Sequence, residues 1–313
     1  MIESTENKYF PWFTTLFSLL LVVIYIVMAL LSGSLSINNQ WYEWFGAPYA
    51  TQIFLGKVYG VVTNNFVHVN LLHLSINLVG LWLFGAFLER RLGWFKMAMF
   101  GLVSSIFGSI IQLSFSDDAG LGIASAIFGM FTLILVMSFR NERFKMKYIY
   151  IFGLVMLGIL VFMIINNQLF NEDAAIEAKI GGVFWGFLVG VSQRDGVIQK
   201  PFLLALFIPF TLVCILLAYS PWSSQWNCAR AISYHEKHDL TTAEQYYKVA
   251  LNIDAKNQLA ASNYKLIKID RLSALAYNAH KSGEYTEARR FYFKILSLDK
   301  NHRWAKENLK DLP

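Results

Sequence analysis

Charge is scarce in this chain. Only 15% of its 313 residues are Asp, Glu, Lys or Arg, against about 25% in soluble globular proteins, which excludes a wholly water-soluble enzyme. Cysteine is scarcer still, with two residues, too few for a disulfide framework. Cys214 lies in an apolar run and Cys228 just beyond it, so both read as free thiols. The net charge of +6 is not gathered on one face. The Lys and Arg residues of the first two thirds flank apolar runs, and the 15 basic and 10 acidic residues of 221–313 alternate. That pattern describes membrane flanks and a solvated surface, and excludes a nucleic-acid partner.

Apolar residues are abundant, at 56%, and unevenly placed. Residues 1–220 hold 23 of the 48 charged residues, and the last 93 hold the other 25. Seven stretches are long and apolar enough for a hydrocarbon core roughly 30 Å thick: 11–31, 69–88, 97–116, 119–139, 148–170, 174–193 and 201–220. Only the sixth contains charge, Glu177 and Lys179. Span one is too long for a signal-peptide core and reads as retained. With the N-terminus in the cytoplasm, the inner segments hold Lys8, Arg90, Arg91, Lys96, Arg140, Arg143, Lys145, Lys147, Arg194 and Lys200. The outer connections hold only Lys57. The Lys/Arg count therefore sets this orientation, and an odd number of spans sends the polar tail outward.

Polar residues inside a span are costly and face a protein interior or a water cavity. His68 sits at the mouth of span two, and His73 and Asn77, four residues apart, project from the same helical face. Spans two, four and six all begin on the outer side, and His73, Ala124 and Lys179 each fall about five residues in, roughly 7 Å deep. Gly122, Gly181, Gly182, Gly186 and Gly190 supply the small residues that let helix backbones approach.

This arrangement resembles the rhomboid intramembrane serine proteases. Thr63 to Asn77 resembles the family's segment with His68, His73 and Asn77 in place, and Gly85, Glu89 and Gly93 continue it. Gly122-Ile123-Ala124-Ser125-Ala126-Ile127-Phe128-Gly129 is similar to the family's nucleophile motif, and Ala178 to Gly190 to its histidine motif. The resemblance covers roughly residues 10–195. It implies an all-α fold, a polytopic helical bundle of six plus one spans in a bacterial plasma membrane. It also implies a serine on span four, a histidine base on span six and an oxyanion-binding His and Asn on span two. His68, His73, Asn77 and Gly122 keep the oxyanion side. Ala124 stands at the nucleophile position and Lys179 at the base position. The run Ala126 to Gly129 fixes the register, so Ser125 falls on the family's glycine. The family's loop arginine is missing, since Gly60 follows Gly56-Lys57-Val58-Tyr59.

A methyl group cannot attack a carbonyl, so the expectation is an inactive rhomboid fold that binds transmembrane segments of client proteins. The alternative is an active endopeptidase using a Ser125–Lys179 dyad. Ser125 would then have to point where residue 124 points, about 100° away on a helix. A third reading is a membrane-anchored scaffold acting through its tail alone. Lys179 is expected to pair with Glu177, Asp117 or Asp118, or to snorkel to water. The span-two His and Asn are expected either to bind a ligand or to satisfy one another across the helices. No cofactor is implied, and no metal, because His68 and His73 lack a third ligand at their depth.

In the tail, Lys237 to Asp254 parallels Ser282 to Asp299 and resembles the second helix of a tetratricopeptide repeat. Ala243 and Ala288 are 45 apart, not the usual 34, so lengthened helices or an inserted extra turn are expected between them. His238 occupies a position where that repeat favours glycine. The expected organisation is residues 1–200 as a six-span domain, 201–220 as a seventh span and 221–313 as a repeat domain that engages a protein or peptide partner.

Overall fold

The computed structural model describes residues 9–116, 118, 120–170, 175–194, 197–198 and 200–313; Lys8 and Asp117, invoked above, lie outside them. The chain divides between Ser220 and Pro221 into two compact units.

The first unit is built from α1 (Trp12–Ser32), α2 (Ala50–Phe54), α3 (Gly60–Thr63), α4 (Leu71–Gly80), α5 (Ala86–Leu92), α6 (Trp94–Phe115), α7 (Ala124–Ser138), α8 (Ile149–Phe170), α9 (Ile176–Ser192) and α10 (Lys200–Ala218). Segment Leu81–Gly85, a π-helical turn, joins α4 to α5 as one rod. Strand structure among the described residues is confined to a two-residue antiparallel ladder, Gln193–Arg194 with Val197–Ile198, and an isolated Ser36–Asn70 bridge. Three helical stretches, Trp12–Ser32, Leu71–Leu92 and Trp94–Phe115, are long and apolar enough to cross a membrane; Ala124–Ser138, Ile149–Phe162 and Leu206–Ala218 are apolar but shorter.

Helix α1 illustrates why these sequences suit a bilayer. Thr14, Ser18, Leu21, Tyr25 and Met28 form a buried stripe at helical spacing. The opposite face shows Leu16, Leu20, Val23, Val27 and Leu30 to the surroundings. A helix apolar all round is at home in protein on one side and hydrocarbon on the other. Its N-terminus is held by Glu89 of α5. The buried carboxylate accepts from Phe13 N (3.0 Å), Thr14 N (2.8 Å) and Thr14 Oγ1 (2.7 Å). Negative charge there satisfies orphan N–H groups and meets the positive end of the helix dipole.

Helices α6, α7 and α9 form the centre of this unit. Their contact is backbone to backbone. A methyl added at Gly182 of α9 would lie 2.1 Å from the Ser125 carbonyl oxygen, and one at Gly186 would lie 2.3 Å from that of Gly129. Gln112 of α6 adds a polar tie, its Oε1 accepting from Ala178 N at 3.0 Å. At the far end of the bundle Arg140 donates to the Val191 carbonyl (2.7 Å) and Arg91 to that of Arg143 (2.6 Å). Arg140 thus caps carbonyls that the end of α9 leaves open.

One expected boundary is wrong. The fourth span begins at Ala124, not at 119, because Gly120 (φ +62°) and Gly122 (φ +78°) take left-handed backbone that a helix excludes. Ala124 is therefore the first residue of α7, while His73 and Lys179 are the third and fourth of α4 and α9. The three positions share helix beginnings, not a depth of five residues.

The second unit comprises α11 (Ser224–Glu236), α12 (Leu240–Ile253), α13 (Gln258–Lys281), α14 (Tyr285–Leu298) and α15 (Arg303–Lys310). A shift of 45 residues carries the end of α11 onto the end of α13, α12 onto α14, and the start of α13 onto the start of α15. The same shift superposes fully buried residues: Ala231 on Ala276, Ala243 on Ala288, Tyr247 on Tyr292, and Ala260 on Ala305. The expected extra helix is thus inside α13, whose first half packs in one small core with Cys228 and Tyr247 and whose second half packs in another with Tyr292. Burial pushes the Cys228 thiol up to about 12, so it stays protonated; both cysteines are free.

The turn between α11 and α12 puts His238 at φ +60°, where its counterpart Gly283 has φ +77°. Left-handed backbone costs a residue with a Cβ about 1–2 kcal/mol, part of which glycine returns as chain entropy. His238→Gly is expected to raise the stability of the tail by about 1 kcal/mol, read from the midpoint of chemical denaturation of the full-length protein. An unchanged or lowered midpoint would mean that the imidazole contributes more than its backbone costs.

Candidate functional site

The start of α4 and the loop into α7 gather one polar cluster. Asn70 caps α4, its Oδ1 accepting from His73 N at 2.8 Å. The cap orients the first turn, and His73 and Asn77 then project toward the loop leading into α7. They meet it at Gly122: a methyl there would fall 2.9 Å from Cε1 and Nε2 of His73 and 3.0 Å from Nδ2 of Asn77. The glycine is required twice over, by this close approach and by its positive φ. Its N–H donates to the Asn64 carbonyl at 3.1 Å, fixing the loop.

His68 is wholly buried, its ring centroid 5.1 Å from that of His73. Both its ring nitrogens, Nδ1 of His73 and Nδ2 of Asn77 are buried without a partner at hydrogen-bond geometry. The expectation that these side chains satisfy one another across the helices is therefore not met. Four polar atoms gathered without partners are costly in a folded protein. Such a cluster is suited to receiving a polar group from outside. Among the described residues no three His, Cys, Asp or Glu side chains converge as a metal ion would require.

Ala124 is half-buried at the first turn of α7 and brings only a methyl group. Ser125 points elsewhere. Its Oγ donates to the Ser104 carbonyl of α6 at 2.9 Å, and Ser104 Oγ returns a bond to the Ser125 carbonyl at 3.2 Å. Gly108 of α6 leaves the room for this hydroxyl, since a methyl there would lie 2.0 Å from it. Lys179 is buried, 6% exposed, so it does not snorkel to water. Its Nζ donates to the Ala175 carbonyl at 3.1 Å. The structure thus brings His68, His73, Asn77 and Gly122 together and turns the Ser125 hydroxyl out of the group. Sequence reasoning missed Asn70, Ser104 and Gln112. An asparagine three residues before His73 is a helix-cap signal, and a lone amide in an apolar span is another.

This helical unit, with paired His and Asn on one helix beginning facing a glycine loop and a second helix start, is that of a rhomboid-fold membrane protein related to the rhomboid proteases. Residues 55–196 match the rhomboid domain, and residues 231–257 and 269–297 match the tetratricopeptide repeat. The chain is similar to the rhomboid protease GluP of Bacillus subtilis, 25% identical over 305 residues, covering 93% of this chain and 58% of that protein. It is similar to the rhomboid protease GlpG of Salmonella paratyphi A, 26% identical over 166 residues, covering 53% of this chain and 57% of that protein. GlpG of Yersinia pestis is 31% identical over 111 residues, 36% of this chain and 38% of that protein. The chain thus spans little more than half the length of the first two relatives.

Proposed function

We propose that this rhomboid fold binds transmembrane segments of client proteins without cleaving them, and that the tail engages a second protein. The observation that carries the reading is the methyl group of Ala124, where the related proteases place a nucleophilic hydroxyl. Hydrolysis through a covalent intermediate needs a nucleophile and a neutral base within hydrogen-bond reach. Here the neighbouring hydroxyl of Ser125 is engaged on another helix, and the group at the base position is a lysine whose Nζ donates to a backbone carbonyl. The Ser125–Lys179 endopeptidase is disfavoured on the same grounds. The polar pocket itself remains equipped to hold a backbone carbonyl of a client segment, through the unsatisfied donors of His73 and Asn77.

The orientation proposed is a bacterial plasma membrane with the N-terminus in the cytoplasm and the tail outside. Arg90, Arg91, Lys96, Arg140, Arg143, Lys145 and Lys147 all lie at the bundle end opposite the pocket, which the positive-inside tendency assigns to the cytoplasm.

The test treats the purified chain in lipid nanodiscs with a fluorophosphonate probe and with a panel of transmembrane substrates. Neither labelling nor cleavage is expected, for the chain itself or for Ser125→Ala. Photo-crosslinkers placed at Leu72 and Ile76, beside the pocket, are expected to trap single-span clients. Labelling that disappears in Ser125→Ala overturns the reading in favour of the enzyme. Crosslinks confined to residues 221–313 overturn it in favour of a scaffold.

A further inference from the structure

The first repeat of the tail carries a groove whose lining differs from its counterpart in the second. The shift of 45 residues sets His280, Tyr285 and Tyr292 where His235, Leu240 and Tyr247 stand in the first repeat. In the second repeat His280 Nδ1 and the Tyr292 hydroxyl are hydrogen-bonded at 3.0 Å, and the Tyr285 ring packs edge-on against His280 with centroids 6.0 Å apart. In the first, Leu240 replaces that tyrosine and leaves a groove of about 500 Å³. Tyr247 is fully buried beneath it, beside Asn263, and its hydroxyl has no partner at hydrogen-bond geometry. His235 is near, its ring 6.4 Å from that of Tyr247, but does not supply the bond its counterpart makes.

The same groove is lined by Glu236 and Asp270. Among the described residues neither carboxylate forms an ion pair, whereas Glu244 is held by Lys248 and Arg271, and Glu307 by Arg303. Two carboxylates without an ion pair and a buried hydroxyl without a partner at hydrogen-bond geometry mark a place for a donor that carries positive charge. Ile232 and Leu240 add an apolar wall of the kind that the methylene stem of a long basic side chain covers.

We infer that this groove receives the guanidinium or ammonium group of a basic side chain on the protein that the tail engages, with Glu236 and Asp270 supplying the charge and the Tyr247 hydroxyl an acceptor. The inference rests on the tail's partner-engaging role and gives that partner a chemistry. The test uses the full-length protein in phosphatidylcholine nanodiscs and two probes, N-acetyl-arginine methylamide and its neutral citrulline analogue, with binding followed by saturation-transfer NMR. The arginine probe is expected to bind at least about tenfold more tightly than citrulline, about 1.4 kcal/mol. Glu236→Gln/Asp270→Asn is expected to remove that preference, and Tyr247→Phe to weaken arginine binding several-fold. Glu287→Gln/Glu307→Gln, which removes equal charge away from the groove, is expected to leave it intact and so separates the site from the net charge of the tail. Equal binding of the two probes, or a preference that survives Glu236→Gln/Asp270→Asn, overturns the inference and leaves the tail's partner-engaging role standing. Absence of any arginine binding overturns it as well.

Discussion

Reaction with a fluorophosphonate is expected to appear when the two substituted positions are returned to serine and histidine together. Ala124→Ser puts a hydroxyl on the first residue of α7, half-open to the pocket and next to the loop that faces His73 and Asn77. Lys179→His replaces a primary amine, whose Nζ is engaged on the Ala175 carbonyl, by an imidazole that is neutral at pH 7 and able to accept the proton. A positioned base contributes about 10²–10⁴ in rate. Labelling of the double variant at residue 124 is therefore expected to be at least about a hundredfold faster than that of Ala124→Ser alone, while Lys179→His alone stays unlabelled. His73 Nδ1 and Asn77 Nδ2 are buried without partners, and on the proposed reading these side chains form the oxyanion side. Adding His73→Ala to the double variant is expected to slow labelling by about 10²-fold, the usual loss of one such donor. A folded double variant that remains unlabelled would mean that the pocket has drifted from a catalytic geometry in more than two side chains.

Gly182→Ala is expected to be the most damaging single methyl group in the membrane unit. Its Cβ would stand 2.1 Å from the Ser125 carbonyl oxygen and 2.9 Å from the carbonyl carbon. Both are backbone atoms inside α7, so no side chain can rotate away and the helices must separate. Protein interiors are packed too densely to absorb that shift, and overpacking costs about 1–3 kcal/mol where side chains can adjust. About 3 kcal/mol is the expected loss here, read from the midpoint of detergent-induced unfolding of the full-length protein. Gly158→Ala on α8 is the control, because a methyl there meets nothing within 4 Å and gains helix propensity. It is expected to leave the midpoint unchanged or slightly raised. Equal stability of the two variants would mean that α7 and α9 are not locked through backbone contact.

Hydropathy located the long helices of the membrane unit within a few residues, though not the short α2 and α3, because a span must be apolar along its whole length, whatever it packs against. It failed at the start of α7, where Leu121 and Ile123 keep the composition apolar while Gly120 and Gly122 turn the backbone left-handed. Apolar loop and apolar helix are alike to a composition window. The register of Ser125 was readable from Ala126 to Gly129, since a helix leaves no freedom once one residue is placed. The burial of Lys179 was not readable, because the same long side chain reaches water or a backbone carbonyl depending on its neighbours. Nor was the partner of Glu89, since the N–H groups it accepts from lie 75 and 76 residues earlier in the chain. In the tail, the spacing of Ala243 and Ala288 announced surplus helix but not its place. The packing halves of α13 supply that.

The length of α13 has a mechanical consequence. The 45-residue period exceeds the usual 34 by eleven residues, and eleven residues complete three helical turns to within about 20°. Each repeat is therefore lifted about 16 Å along the rod with almost no rotation. Because the rod is continuous, pulling or twisting one end is transmitted to the other without a hinge to absorb it, so the tail behaves as a stiff lever and not as two beads on a string.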